Sequence, residues 1–223
     1  TISLIPAKAS PHEYKLKPSD TKKLQNANII FFVSDHLESS VTKVFKNLPK
    51  NIKIINLMEE AGIKHLAIRD SEAWERHDHY HGHGDDDDHD ENTRKDDDHD
   101  HDKHSKKHDD HDDHEKEDDV HIWLSPDNAV KIIKTINKEL SLFFPENAKT
   151  YNQNANQMIK KINQLKVELK KEMLGIRDKP YIVFHDAYQY FETSFNLNAV
   201  GSVALEGDVA SSPKQISFIK DKI

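Results

Sequence analysis

The 223-residue chain contains no cysteine, which excludes disulfides and every thiolate-based zinc site. That absence fits cytosolic and exported proteins alike and leaves the compartment open. No apolar run approaches the roughly 20 residues that span a bilayer. The chain opens at TISLIPA, without an initiator Met and without the basic and apolar segments of a signal peptide. A processed form or an excerpt of a longer protein, truncated at both ends, is therefore expected. Hydrolase signatures are missing too. His12-Glu13 is followed by Tyr14-Lys15-Leu16 instead of completing H-E-x-x-H, and no nucleophile elbow occurs. No catalytic residue is expected. The lysines are dispersed, with no arginine-dense or aromatic-interleaved patch that would mark a nucleic-acid surface.

What the chain has in excess is histidine and aspartate. Between Arg76 and Val120 lie eleven of its sixteen histidines, in a stretch from His77 to Asp119 with 20 acidic residues against 6 basic. Imidazole nitrogens and carboxylate oxygens are the ligand set of borderline divalent ions such as zinc, and neutral imidazole is the commonest protein metal ligand. The stretch carries a formal charge of −14 and the remainder +6, within a net charge of −8. Such a polyanion repels phosphates and attracts cations. It has too little apolar surface to offset ordering entropy, so it is expected to be disordered without metal. The alternative is a solvated spacer with incidental metal binding.

Outside the tract the pattern is that of an α/β protein. Thr1–Ile5, Ile29–Val33, Ile52–Leu57, Tyr181–Phe184 and Val200–Leu205 read as buried strands. Ser19 or Asp20 could cap a short helix through Asn26, and Ser34 precedes a helix across 38–47. Ser125-Pro126-Asp127 is a strong helix start, combining a cap hydroxyl, proline in the first turn and an acid at the positive helix end. Ala129, Ile132, Ile133, Ile136 and Leu140 then share a face. From Pro145 to Gly175, apolar residues at Tyr151, Ala155, Met158, Ile162, Leu165, Leu169 and Met173 predict one amphipathic helix about 40 Å long. It could be a strut between two lobes or a coiled-coil dimerisation helix. Strands alternating with helices imply βαβ units and parallel sheets. A sheet of one or two strands after the long helix would leave apolar faces uncovered, so the second lobe is expected to be incomplete at Ile223, in the middle of an apparent helix.

Five histidines lie outside the tract: His12, His36, His65, His121 and His185. His12 follows the first apolar run, His121 immediately precedes a capped helix, and His185 ends the strand YIVF. In parallel α/β sheets ligands bind beyond the carboxyl ends of the strands, where such side chains can converge. Each could equally be a hydrogen-bonded loop residue, and spacing alone does not decide. His36 and His65 have no such setting and read as surface residues.

Four segments carry a more specific signal: ASPHEYKLKPSD (9–20), VHIWLSPDNA (120–129), PENAKTYNQNA (145–155) and VFHDAYQYF (183–191). In sequence, order and separation they resemble the signature segments of the metal-specific solute-binding proteins of ABC importers, in particular the zinc branch, whose members carry an acidic His-rich insertion at this place. The resemblance covers essentially the whole chain apart from the tract's own sequence. It implies two α/β lobes, each with a mostly parallel sheet flanked by helices, joined by one long rigid helix with metal in the inter-lobe cleft. The implied boundaries are 1–144 (including the loop 77–119), 145–175 and 176–223. The implied metal ligands are His12 and His121 from the first lobe and His185 from the second.

The implied activity is capture of Zn2+ outside the cytoplasmic membrane and delivery to an ABC permease, by a monomer that is periplasmic or a membrane-anchored extracytoplasmic lipoprotein. The His-rich loop would be an auxiliary low-affinity collector or sensor. Members that carry manganese place a carboxylate where this sequence has His185, and three nitrogens favour zinc. A receptor for manganese or another divalent ion, or a metal-binding surface adhesin, is the alternative. Some zinc-type members have Glu directly before the first ligand where this chain has Pro11, and many take a further carboxylate from a position past Ile223. The fourth ligand therefore stays open. Trp123, Phe184, Tyr188, Tyr190 and Phe191 are expected to pack around the site, with Asp186 either supporting a ligand or capping a helix.

Overall fold

The computed structural model describes residues 1–69, Trp74, 117–203, Ser217 and Lys220. Residues 77–116 of the His-rich stretch, and the apparent helix near the end of the sequence apart from Ser217 and Lys220, lie outside the described residues. The architecture is α/β, with two parallel strand pairs, one on each side of a long helix.

The first lobe begins with α1 (Pro18–Gln25), β1 (Ile29–Phe32), α2 (Ser39–Thr42), β2 (Lys53–Asn56) and α3 (Leu57–Glu60). β1 and β2 are parallel, with Ile30 opposite Ile54 and Phe31 opposite Ile55. α1 starts earlier than the sequence suggests: Pro18 takes the first helical position, where its missing N–H costs nothing, and Lys17 stands at the cap. Asp20 sits one turn in and accepts the Lys17 N–H at 3.2 Å.

The single helix expected over 38–47 is α2 followed by a separate 3-10 turn at Phe45–Asn47. Ser39, Val41, Thr42 and Val44 are weak helix formers, which is reason enough for the break. Ser34 does accept the Leu37 N–H, at 3.2 Å, but the helix begins later. Leu57, expected to end a strand, opens α3, because Asn56 accepts the N–H groups of Met58 and Glu59 at 3.0 and 3.4 Å.

One expected strand does not form. Among the described residues, Thr1–Ile5 joins no ladder and β1 pairs with β2 alone in its sheet. Leu4 packs on the core while Ile2 is 71% exposed, and the Ser3 hydroxyl turns back to donate to the Ile5 carbonyl. A local bond of this kind competes with strand pairing.

After the tract come α4 (Pro126–Phe143), a 3-10 turn at Pro145–Asn147, α5 (Ala148–Glu172) and a closing 3-10 turn at Met173–Gly175. Ser125 caps α4 as its sequence suggests, accepting the Asn128 N–H at 3.4 Å. The inward stripe of α5 keeps Tyr151, Ala155, Ile162, Leu169 and Met173 of the expected one and differs at two positions. Ile159 and Lys166 turn inward, whereas Met158 and Leu165 are about half exposed. Both stripes have helical spacing, and contact with α4 selects between them: the Lys166 ammonium holds both oxygens of Asp127 in the first turn of α4, at 2.6 and 2.7 Å.

The second lobe contains β3 (Pro180–Val183), α6 (Gln189–Phe195) and β4 (Asn198–Ser202). β3 and β4 are parallel, with a register shift between Tyr181 and Ile182. The last strand thus starts and ends earlier than Val200–Leu205, and residues 204 and 205 lie outside the described residues.

Two apolar clusters hold this arrangement. One joins Leu24, Ile30, Val41 and Ile52 within the first lobe. The other joins Leu37, Met58, Val120 and Ile122 of the first lobe to Tyr190 of α6, so it crosses the seam between the lobes. Beside the first cluster, the buried Asp20 accepts from the Tyr14 hydroxyl at 2.7 Å and from Lys23 at 2.9 Å, and these bonds hold its carboxyl down at about 2. A depressed carboxyl stabilises the fold above its unfolded value of 3.8 and loses that contribution as pH falls towards 2. Urea midpoints should therefore drop between pH 4 and pH 2, and Asp20→Asn should flatten that part of the profile. Ser125→Ala should cost about 1 kcal/mol in the same assay.

Candidate metal centre

Each of the three histidines singled out in the sequence is positioned by its own local device. His12 lies in the loop before α1, and Tyr14 ties that loop down: its hydroxyl donates to Asp20 and its carbonyl accepts from the Ser40 hydroxyl. His121 stands at the cap of a 3-10 turn, Ile122–Leu124, which leads into α4. Val120 and Ile122 on either side of it are buried in the seam cluster, which fixes the backbone between them. His185 follows β3 in a tight turn in which the Ala187 N–H bonds the His185 carbonyl at 2.9 Å. It sits at the carboxyl end of a parallel strand, where crevices of such sheets open.

The structure brings these three rings together. One ligand atom from each lies within 4.8 Å of the others, and among the described residues this is the group of His, Asp and Glu side chains compact enough to share an ion. The ring centroids are 5.4 Å apart for His12 and His121, 6.0 Å for His12 and His185, and 5.3 Å for His121 and His185. His12 Nε2 and His121 Nε2 stand 3.4 Å apart. Two imidazole nitrogens bound to one ion at about 2.0–2.1 Å in tetrahedral array would lie at a similar separation. His121 is buried, and the other two are partly exposed.

The tautomer of His121 follows from its neighbour. Asp119 Oδ1 lies 2.7 Å from His121 Nδ1 and also accepts the His121 backbone N–H at 2.9 Å. A carboxylate only accepts, so in the neutral ring Nδ1 carries the proton and Nε2 keeps its lone pair beside His12 Nε2. Asp119 was not singled out in the sequence, because it is one of seventeen aspartates in an acidic run. Its placement two residues before His121 is the only hint there. The run in fact ends before it: Ala67 and Asp118 form an antiparallel bridge, with Ile68 N to Glu117 O and Asp119 N to Leu66 O both at 2.8 Å. Glu117, Asp118 and Asp119 therefore belong to the folded lobe.

His36 and His65 stay outside the cluster. His65 is exposed, as expected, but engaged on both nitrogens, with Asp118 at 2.7 Å and the Met58 carbonyl at 3.0 Å; that carbonyl, then Asp118, raises its pKa against the opposing effect of burial. The aromatic shell is thinner than the sequence suggests. Tyr190 is buried, and burial pushes its hydroxyl up to about 12; Phe191 packs on Phe195 at 4.7 Å. Trp123 meets His121 edge-on at 5.4 Å. Phe184 and Tyr188, by contrast, are 75% and 46% exposed. Phe184 lies just past the end of β3, in the bend that leads to His185.

Asp186 does not cap α6, whose cap position is taken by Tyr188. It receives the Arg69 guanidinium on both oxygens, with Nε to Oδ2 at 3.1 Å, while Arg69 Nη1 reaches Glu192 at 2.6 Å. Arg69, Asp119, Asp186, His12 and His121 border one small cavity of about 30 Å³. Glu117 and Asp118 line it too, so four carboxylates against one guanidinium leave its wall with no excess positive charge to repel a cation.

The fold is that of a solved structure described as a crystal structure of ZnuA, matched with a TM-score of 0.69 and 22% identity over 98% of this chain and 66% of that one. The chain belongs to the family described as zinc-uptake complex component A, periplasmic, whose family model matches residues 1–223. Among curated relatives, the high-affinity zinc uptake system protein ZnuA of Brucella abortus is 39% identical over 220 residues, 99% of this chain. Its counterpart from Haemophilus ducreyi is 34% identical over 223 residues. The chain spans 65% and 66% of the length of those two relatives.

Protonation of the imidazoles can be read directly. Long-range nitrogen–proton NMR of the metal-free protein, at a pH where the rings are neutral, should show His121 protonated at Nδ1. Asp119→Ala should give a mixture of tautomers, and an unchanged single tautomer in that variant would contradict the role given to Asp119.

Proposed function

We propose that this chain forms the zinc-capturing part of a receptor that works outside the cytoplasmic membrane and hands Zn2+ to an ABC permease. The observation that carries the reading is the convergence of His12, His121 and His185 from three distant segments at the seam between two lobes. The family match and the printed function of the Brucella and Haemophilus relatives support zinc as the cargo and the periplasm as the place. Among the described residues, no helix is long and apolar enough to cross a membrane. On this reading residues 1–144 form the first lobe, 145–175 the linking helix and 176–223 part of the second lobe, and the receptor acts as a monomer.

Capture would use the rings as neutral bases. His121 presents Nε2 because Asp119 holds its other nitrogen, and His12 and His185 add two more nitrogens, a donor set that suits zinc better than a hard ion such as manganese. The stiff α5 limits motion, so loading should involve small lobe tilts or ordering of the His12 loop. The receptor is not an enzyme on this reading, and no side chain is assigned to a reaction. The stretch 77–116 would act as a second, weaker binding region that raises the local zinc concentration.

Chelator-competition titration of the complete protein tests both parts. His12→Ala, His121→Ala and His185→Ala should each weaken the tight step by more than the roughly 10–100-fold typical of losing an outer-shell partner. If all three leave it unchanged, the ligand set is wrong. Deleting residues 77–116 should remove the weak sites and keep the tight one. That deletion spares Asp119, which the wider cut 77–119 would not.

A further inference from the structure

The geometry points to Arg69 as a positioning residue for the ligand set, one that holds His185 against the two first-lobe histidines through Asp186. The inference rests on the ligand assignment made above and adds a part to it. Arg69 ends the segment Leu66–Arg69 of the first lobe, and its guanidinium crosses the seam. It takes both oxygens of Asp186, the residue directly after His185, and one oxygen of Glu192 at 2.6 Å. Both carboxylates are buried, and the Trp74 ring lies 3.4 Å from the guanidinium carbon. The Tyr181 hydroxyl in β3 adds a bond to the other Glu192 oxygen at 3.2 Å. The turn that carries His185 is thereby held from the opposite lobe by a planar fork in a partly desolvated setting.

Three further cross-lobe bonds, from Leu66 N to the Tyr190 hydroxyl, from Gln189 to the Ala67 carbonyl and from Ser194 to Ser125, end on α6. They fix the helix, and Arg69 fixes the residue next to the ligand. A lysine keeps the charge but not the planar fork, so it loses the parallel bidentate geometry towards Asp186 that leaves a further N–H for Glu192.

The test uses the complete protein, zinc affinity by chelator competition, and the visible spectrum of the cobalt(II)-substituted site as a reporter of the ligand set. Arg69→Ala should weaken zinc binding by about 10–100-fold, the range for partners that orient a ligand. Its cobalt bands should shift towards those of His185→Ala. Arg69→Lys should recover part of the loss, and Asp186→Asn should resemble Arg69→Ala. The double variant Arg69→Ala/His185→Ala should bind no more weakly than His185→Ala alone, because both changes remove the same ligand. Losses that add in the double variant, or an unshifted cobalt spectrum in folded Arg69→Lys and Asp186→Asn, would overturn the inference. A loss in His185→Ala with none in Arg69→Ala overturns the Arg69 role alone. No loss in either overturns the ligand set and this role together.

Discussion

The structure depends on how residues 66–69 close the seam between the lobes. This short segment bonds to the supports of two of the three histidines. Its Leu66 carbonyl accepts the Asp119 N–H, and Asp119 in turn fixes His121. The Leu66 N–H donates to Tyr190, whose ring enters the apolar cluster of Leu37, Met58, Val120 and Ile122. Arg69 then grips Asp186 beside His185. One ligand from each lobe, His121 and His185, is thus referred to the same four residues, while the His12 loop is tied down separately through Tyr14.

Electrostatics and packing divide the work. Apolar burial at Tyr190 supplies the non-directional part of the closure, and the guanidinium fork supplies direction. Buried charges stabilise only when paired, and breaking such a pair is costly. Each buried acid in the seam has a partner: Asp119 has His121, while Asp186 and Glu192 share Arg69. The rest of the first lobe follows the same rule, with Glu139 of α4 paired to Lys53 of β2 and Asp20 to Lys23. The long helix adds stiffness, pinned to the start of α4 by Lys166 and Asp127.

Much of this was legible in the sequence, and the exceptions have physical causes. Strong local signals read true: the Ser125-Pro126 helix start, the apolar cores of β1, β2 and β3, and the length of the linking helix. The α/β class came from strands alternating with helices, but the two-lobe arrangement and the ligand set came from segment resemblance, because His12, His121 and His185 are more than 60 residues apart and spacing says nothing about their meeting. What stayed hidden was decided by tertiary context. Thr1–Ile5 has strand composition but no ladder to join. Two stripes of α5 have equal periodicity until α4 chooses one. Asp119 and Arg69 gave no pattern, one lost in an acidic run and the other a lone arginine whose partners lie 117 and 123 residues away.

The account turns on three imidazoles from separate segments sharing one ion across the seam. X-ray absorption at the zinc edge, on the complete protein lacking residues 77–116 and loaded with one equivalent of zinc, measures this directly. The account predicts at least three imidazole nitrogens at about 2.0–2.1 Å, and one fewer in His185→Ala. A first shell of oxygen, or an imidazole count unchanged by that substitution, would contradict it.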